Sequence, residues 1–299
     1  MIRPFTQPLT SNGYQLSMTP DRLGWLDASD PLLPVADLRA RFQQDGVLWL
    51  KGLMDREQVL TFRGRYFEQF PELLAPGTDA VEGLWNPSSK TVGNAQQRVR
   101  EIVRWAAYES LCLSRPLVQF FEAFLAGPVY LHKRKLIRHT TPADSNSTGA
   151  HYDLVYLRAG TDRVVTAWIP LGDISVEMGG LVYLKGSDAW GRKMEAEFSV
   201  KNASLPPEER INAFNKNMGE TGWLTKDLPT LADRLNTQWL AADYEAGDVV
   251  LHSAYMIHAA TTNVDPQQRM RLSTDIRYQL VSDVIDPRWG EHWSPDDKL

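Results

Sequence analysis

The chain has 299 residues, of which 43% are hydrophobic and 23% charged, with a formal net charge of −5. That balance predicts a soluble globular protein with a sizeable core, organised as one large domain over 1–299. It provides no basic footprint for nucleic acid and no apolar run near the ~18 residues that cross a bilayer, and its one cysteine, Cys112, excludes an intrachain disulfide framework.

A small molecule is therefore the expected partner, and any metal has to be held by histidine and carboxylate. Met1-Ile2-Arg3-Pro4-Phe5 lacks the charged-then-apolar order of a secretory signal, so a cytoplasmic location is expected. Helical periodicity runs from Pro34 to Phe42, and Gly46-Val47-Leu48-Trp49-Leu50 has strand character. A second helix is expected from Asp55, with Val59, Leu60, Phe62, Tyr66, Phe67 and Phe70 near one face as core. Between Gln97 and Ala126 a pair of helices is predicted, broken at Arg115-Pro116, with Cys112 in the core beside Trp105, Leu111 and Leu113. Residues 1–128 thus read as mainly helical with one early strand.

From Val129 the texture changes to short apolar runs between turns, such as Val164 to Ile169, Leu181 to Leu184 and Asp248 to His252. This is the pattern of a β-sandwich or barrel over 129–280. The polar stretch 188–242, with Pro206-Pro207, reads as an insertion, either a lid or substrate-binding element or a passive excursion. Residues 281–299 form a C-terminal tail.

Within the β-rich part, His151-Tyr152-Asp153 places two metal-binding groups two residues apart. Such residues share one face of a strand, so both side chains could hold one ion, and the strand-like Leu154-Val155-Tyr156-Leu157 supports that placement. Only six histidines are present, and His258, after the strand opened by Gly247-Asp248, is the best second imidazole. His252 competes, although a strand through Leu251 would turn it to an outer surface or a cap on the core. Two imidazoles and a carboxylate on one face of a ferrous ion leave the opposite positions open for oxygen and a co-substrate. Arg271 and Ser273 are also two apart and could grip one carboxylate through charge-assisted hydrogen bonds. Asp275 would make that arginine structural, the dicarboxylate 2-oxoglutarate fits equally well, and Arg269 and Arg277 share the alternating face.

On these residues, together with Thr166 to Leu171, Met178 to Ser187 and Arg271 to Tyr278, the chain resembles the phytanoyl-CoA dioxygenase family over Val129 to Tyr278. Asp188 departs from the pattern, standing where relatives commonly carry a histidine. The resemblance implies a double-stranded β-helix, or jelly roll, braced by the N-terminal helices. It implies iron(II) on His151, Asp153 and His258, and 2-oxoglutarate with its distal carboxylate on Arg271. A second polar contact to 2-oxoglutarate would come from among Lys133, Lys135 and Arg138. With dioxygen as co-substrate, an unactivated C–H bond of a small molecule would be hydroxylated, releasing succinate and carbon dioxide. Desaturation, ring closure and ring expansion share the same oxidant. The Asp153 carboxylate argues against halogenation, and a carrier-linked or coenzyme A-linked substrate stays open. Two rivals remain at this point, a zinc hydrolase on the same ligands and a non-catalytic jelly-roll binding protein. Arg271-Leu272-Ser273 argues against the first, which needs no dicarboxylate anchor, and Trp168 is expected as core.

Overall fold

A computed structural model of the protein describes residues 4–89, 94–142, 144–206, 209–210 and 222–292. Parts of the expected insertion (207, 208 and 211–221) and of the tail (293–299) lie outside them. In chain order the elements are β1 (Thr10–Ser11), β2 (Tyr14–Gln15), β3 (Leu23–Trp25), β4 (Ala28–Ser29), α1 (Val35–Asp45), β5 (Val47–Leu50) and α2 (Arg56–Phe67). Then follow α3 (Ala95–Ile102), α4 (Ala106–Cys112), α5 (Arg115–Leu125), β6 (Val129–Leu131), β7 (Leu136–Thr140), α6 (Leu154–Leu157), β8 (Val165–Pro170) and β9 (Leu181–Leu184). The last are α7 (Ser187–Lys201), α8 (Leu228–Leu235), β10 (Trp239–Ala241), β11 (Val249–Ser253), β12 (His258–Ala260) and β13 (Arg271–Leu280).

Two sheets face each other. The larger runs β4-β5-β11-β8-β13-β6 with β7 also paired to β13, and the smaller runs β12-β9-β10-β3. Strand periodicity divides the side chains between two cores. On β8, β11 and β13, Val165, Ala167, Ile169, Val249, Leu251, Leu272, Ile276 and Tyr278 point outward into one cluster with Phe62, Tyr66, Phe67, Leu117 and Phe121 of α2 and α5. Trp168 and Val250 point inward, meeting Tyr183 and Ala260 of the smaller sheet. The helices therefore cover one face of a jelly roll, which leaves its interior for the site.

Local chemistry accounts for the helix starts. The Asp55 carboxylate accepts the Gln58 N–H at the head of α2, and Pro116 opens α5 in its first turn. The proline begins a helix after a short break, so three helices stand where a pair is expected. The N-terminal part also differs from its expectation, with four strands before α1. Each has only two or three residues; β1 and β2 pair with each other across Asn12-Gly13, while β3 lies parallel to β10 and β4 to β5, partners the local pattern does not reveal. The insertion 188–242 is corrected in the same way, because β10 within it pairs with β9 and β3 and belongs to the smaller sheet. The strand expected over Leu154–Leu157 is helix α6. Its four consecutive apolar residues carry no period that separates helix from strand. No helix among the described residues is long and apolar enough to cross a membrane.

Candidate metal and co-substrate site

His151 sits at an isolated antiparallel bridge to His258, the first residue of β12. Two backbone hydrogen bonds join them, His151 N–H to His258 O at 3.1 Å and His258 N–H to His151 O at 2.9 Å. The chain then turns at Asp153, which precedes α6 with helical backbone angles. The pair therefore meets across a strand-to-helix turn and not along one strand. Ligand atoms of His151, Asp153 and His258 lie within 4.8 Å of one another, all three residues buried. His151 Nε2 is 3.7 Å and His258 Nε2 3.9 Å from Asp153 Oδ1.

Hydrogen bonds prepare each donor. The Nδ1 of His151 meets the Gly149 carbonyl at 2.9 Å and that of His258 meets the Met256 carbonyl at 3.0 Å. A carbonyl only accepts, so each Nδ1 carries the proton and each Nε2 presents a lone pair. Burial pushes both imidazoles below their ordinary 6.5, keeping them neutral, and for His258 the neighbouring His252 and His151 add to it. Burial disfavours ionisation of Asp153, but Arg277 and the imidazoles outweigh it and hold the carboxyl well below its usual range. Asp153 Oδ2 accepts from Thr166 Oγ1 at 2.5 Å and from Arg277 Nη2 at 3.0 Å. Only Oδ1 faces the two imidazoles uncommitted. Two neutral nitrogens and one carboxylate oxygen, converging from one side, fit iron(II).

β13 turns Arg271, Ser273, Asp275 and Arg277 inward, with Leu272, Thr274, Ile276 and Tyr278 outward. Arg271 is 3% exposed, and burial lowers its guanidinium to about 10, leaving it charged at neutral pH. Its Nη1 donates to the Gly179 carbonyl, while Nε has no partner. Gly179 adopts φ +78°, and a Cβ there would lie 2.5 Å from the Thr261 carbonyl oxygen, so the Met178-Gly179-Gly180 turn brings this carbonyl to the arginine. Ser273 is fully buried, and its Oγ has no partner. Arg138 pairs in register with Ser273, its Nε 3.5 Å from Asp275 Oδ2.

The other expectations separate. Lys135 commits its ammonium to Glu109 of α4, which corrects its expected contact with 2-oxoglutarate. Lys133 is exposed. Arg269 is held by both oxygens of Asp265, which removes it as a rival to Arg271. His252 points inward, contrary to expectation, with Nε2 3.4 Å from Asp153 Oδ2 but without the alignment of a hydrogen bond. Asp188 accepts from Ser253 and pairs with Arg192, a role in packing. Trp168 is both fully buried and part of the cavity wall.

A cavity of about 240 Å³ adjoins the donors, walled by Tyr156, Trp168, Leu181, Trp223 and Trp289. A second, about 640 Å³, continues past Arg271 and Arg138 toward α3. Sequence reading missed Thr166 and Trp223, and saw Arg277 without its partner. Trp223 reaches the site because Ala150 and Thr225 form a bridge beside His151. Gly149 permits the approach, since a Cβ there would lie 2.9 Å from both Trp223 and the Thr225 carbonyl oxygen.

Comparison with known proteins agrees with this geometry. The family profile described as phytanoyl-CoA dioxygenase (PhyH) matches residues 42–271. The chain is 28% identical over 262 residues to a 1-deoxypentalenic acid 11-beta-hydroxylase of Streptomyces arenae, covering 84% of each, and 26% identical over 260 residues to its namesake in Streptomyces exfoliatus, again 84% of each. Among solved structures, the fold is similar to the epimerase SnoN in complex with Fe3+, alpha ketoglutarate and nogalamycin RO (TM-score 0.53, 20% identity, 85% of this chain and 86% of that one). It is also similar to EctD from S. alaskensis with 2-oxoglutarate and 5-hydroxyectoine (TM-score 0.53, 17% identity, 96% and 85%). The chain belongs to the phytanoyl-CoA dioxygenase family and is an iron(II)- and 2-oxoglutarate-dependent oxygenase, which sets aside the hydrolase and passive-binding readings.

Proposed function

We propose that this oxygenase hydroxylates an unactivated C–H bond of a small, largely apolar molecule of secondary metabolism, presented free or joined to coenzyme A or a carrier. His151, Asp153 and His258 hold iron(II), and Arg271 binds the distal carboxylate of 2-oxoglutarate, with the Ser273 hydroxyl beside it and Arg138 at the mouth. When bound, the iron with 2-oxoglutarate and dioxygen supplies an oxidant able to take hydrogen from carbon, with succinate and carbon dioxide released. The protein's own contribution is positional. Gly149 and Met256 carbonyls fix the imidazole tautomers, Thr166 and Arg277 fix Asp153 through one oxygen, and the aromatic wall excludes water and holds the substrate's carbon skeleton.

One observation carries this reading. Two Nε2 lone pairs and one carboxylate oxygen converge in a buried space that a buried, partly unsatisfied arginine also borders. The 1-deoxypentalenic acid 11-beta-hydroxylases, aligned over 84% of each chain, support hydroxylation. The whole chain is proposed to work as one unit, since β3 from the N-terminal part and β10 from within 188–242 pair with each other in the smaller sheet.

The test is anaerobic addition of ferrous iron and then 2-oxoglutarate to metal-free protein while recording visible absorption. Wild type should develop a weak charge-transfer band that His258→Ala lacks, and should release succinate when oxygen and a substrate are admitted. Iron binding without the band would refute the reading.

A further inference from the structure

The arginine proposed to anchor 2-oxoglutarate lies where β7 and β13 run side by side. In their antiparallel register Thr140 stands opposite Arg271, and Arg138 opposite Ser273. Directly opposed residues project to the same face of a sheet, their Cβ atoms about 4.5–5.5 Å apart. Thr140 therefore shares the inward face of Arg271. Alternation along β7 agrees, because Ile137 joins the outer core and His139 meets the Tyr66 hydroxyl of α2 at 2.6 Å, which leaves Arg138 and Thr140 to the interior. Thr140 and Arg271 both border the 640 Å³ cavity.

Three polar atoms on this patch are buried with no hydrogen-bond partner, Arg271 Nε, Ser273 Oγ and Thr140 Oγ1. Buried polar groups are rarely left unmet, so three on adjoining positions of two strands mark a place shaped for a ligand that accepts. The surrounding groups do not serve it. Thr261 Oγ1 donates to the Gly180 carbonyl at 3.3 Å, and the hydroxyls of Ser147 and Thr262 meet each other at 3.3 Å. Of the two carboxylates whose charge reaches Arg271, Asp144 accepts the Thr141 N–H at 2.6 Å and Asp275 lies 3.5 Å from Arg138. A ligand carboxylate fits the vacancy in kind, since its two oxygens accept about four hydrogen bonds and donate none.

We propose that Thr140 is a binding residue for 2-oxoglutarate, its hydroxyl donating to the distal carboxylate from β7 while Arg271 and Ser273 donate from β13. The anchor is then a clamp built by two strands and not by the Arg-Leu-Ser run alone. The charge of Arg271 supplies the attraction, and the hydroxyls on either side of it fix the plane in which the carboxylate lies. The inference rests on the oxygenase reading above and adds to its co-substrate site a residue from the neighbouring strand.

The experiment is anaerobic titration of the iron-loaded protein with 2-oxoglutarate, followed by the charge-transfer absorption, in wild type, Thr140→Val, Thr140→Ala and Thr140→Ser. Valine keeps the shape of threonine without its hydroxyl, alanine loses both, and serine keeps the hydroxyl at smaller volume. Both Thr140→Val and Thr140→Ala should raise the Kd about tenfold or more, whereas Thr140→Ser should stay within about threefold of wild type. A role in packing alone would instead follow volume, with Thr140→Val close to wild type and Thr140→Ser close to Thr140→Ala. That order, or a Thr140→Val Kd within threefold of wild type, would overturn the proposal. The wild-type band, recorded first, separates such a failure from failure of the oxygenase reading, which would remove the band from wild type as well.

Discussion

Replacing Arg271 should weaken 2-oxoglutarate binding far more than replacing Arg269, although the two lie two residues apart and share a strand face. Arg271 is 3% exposed, and its Nε has no partner. A carboxylate bound there exchanges water for charge-assisted hydrogen bonds in a dry environment. Truncating one member of such a buried pair costs about 2–4 kcal/mol, and at 1.4 kcal/mol per decade Arg271→Gln should raise the Kd of 2-oxoglutarate about 30- to 700-fold. Arg271→Lys keeps the charge but loses the fork and should fall between. Arg269 is already satisfied by Asp265 at 2.8 and 2.9 Å and has a 32% exposed side chain. A pair of that kind contributes about 0–1 kcal/mol to stability, so Arg269→Gln should leave the Kd within about twofold. The assay is anaerobic titration of the iron-loaded protein with 2-oxoglutarate, followed by the charge-transfer absorption. An Arg271→Gln Kd within threefold of wild type, or a larger loss in Arg269→Gln, would refute the assignment of the anchor.

Further expectations follow from the same geometry. His151→Ala and His258→Ala should each lose stoichiometric iron by metal analysis while keeping the far-ultraviolet circular dichroism of the wild type. Metal-free protein should lose stability as pH falls below 6.5, because the unfolded chain takes up protons that the buried His151 and His258 refuse, and on further acidification as Asp153 is forced to protonate. Thermal melts across that range check it, and a flat Tm would contradict the neutral-imidazole geometry. Phe121→Ala, which removes a fully buried ring stacked 4.2 Å from Tyr278, should cost about 3–5 kcal/mol in denaturant unfolding. Cys112 is buried, its thiol pushed up to about 12, so a disulfide reagent should label it only after unfolding.

Much of β13 was legible before any coordinates. Period two places Arg271, Ser273, Asp275 and Arg277 on one face and Leu272, Ile276 and Tyr278 on the other, and the structure keeps that division. The sequence could not say which arginine is free to meet a ligand. Arg269 is consumed by Asp265, four residues before it, whereas Arg277 gives only its Nη2 to Asp153, 124 residues before it. The short strands β3, β4 and β10 were illegible because two or three residues carry no measurable period, whereas β1 and β2 carried a signal in the Asn12-Gly13 turn that joins them. Lys135 was misread because its partner, Glu109, comes from a helix 26 residues earlier.

Asp153 shows why a motif can lead to sound geometry through faulty reasoning. Spacing alone puts His151 and Asp153 on one strand face, with Leu154-Val155-Tyr156-Leu157 as its continuation. These four residues instead form α6, and Leu154, Val155 and Leu157 join Tyr152 in the core. Burial on several sides suits a helical turn packed under the smaller sheet as well as it suits a strand, so local pattern had no means of choosing. What aims the carboxylate is the ring of partners around Oδ2, with Thr166 supplied by β8 and Arg277 by β13, and His252 of β11 close by. Each of those residues faces inward because its own strand alternates. The ligand set is thus held by three strands of one sheet acting on a residue that belongs to none of them, which makes Thr166 and Arg277 as necessary to the aim of Asp153 as its spacing from His151.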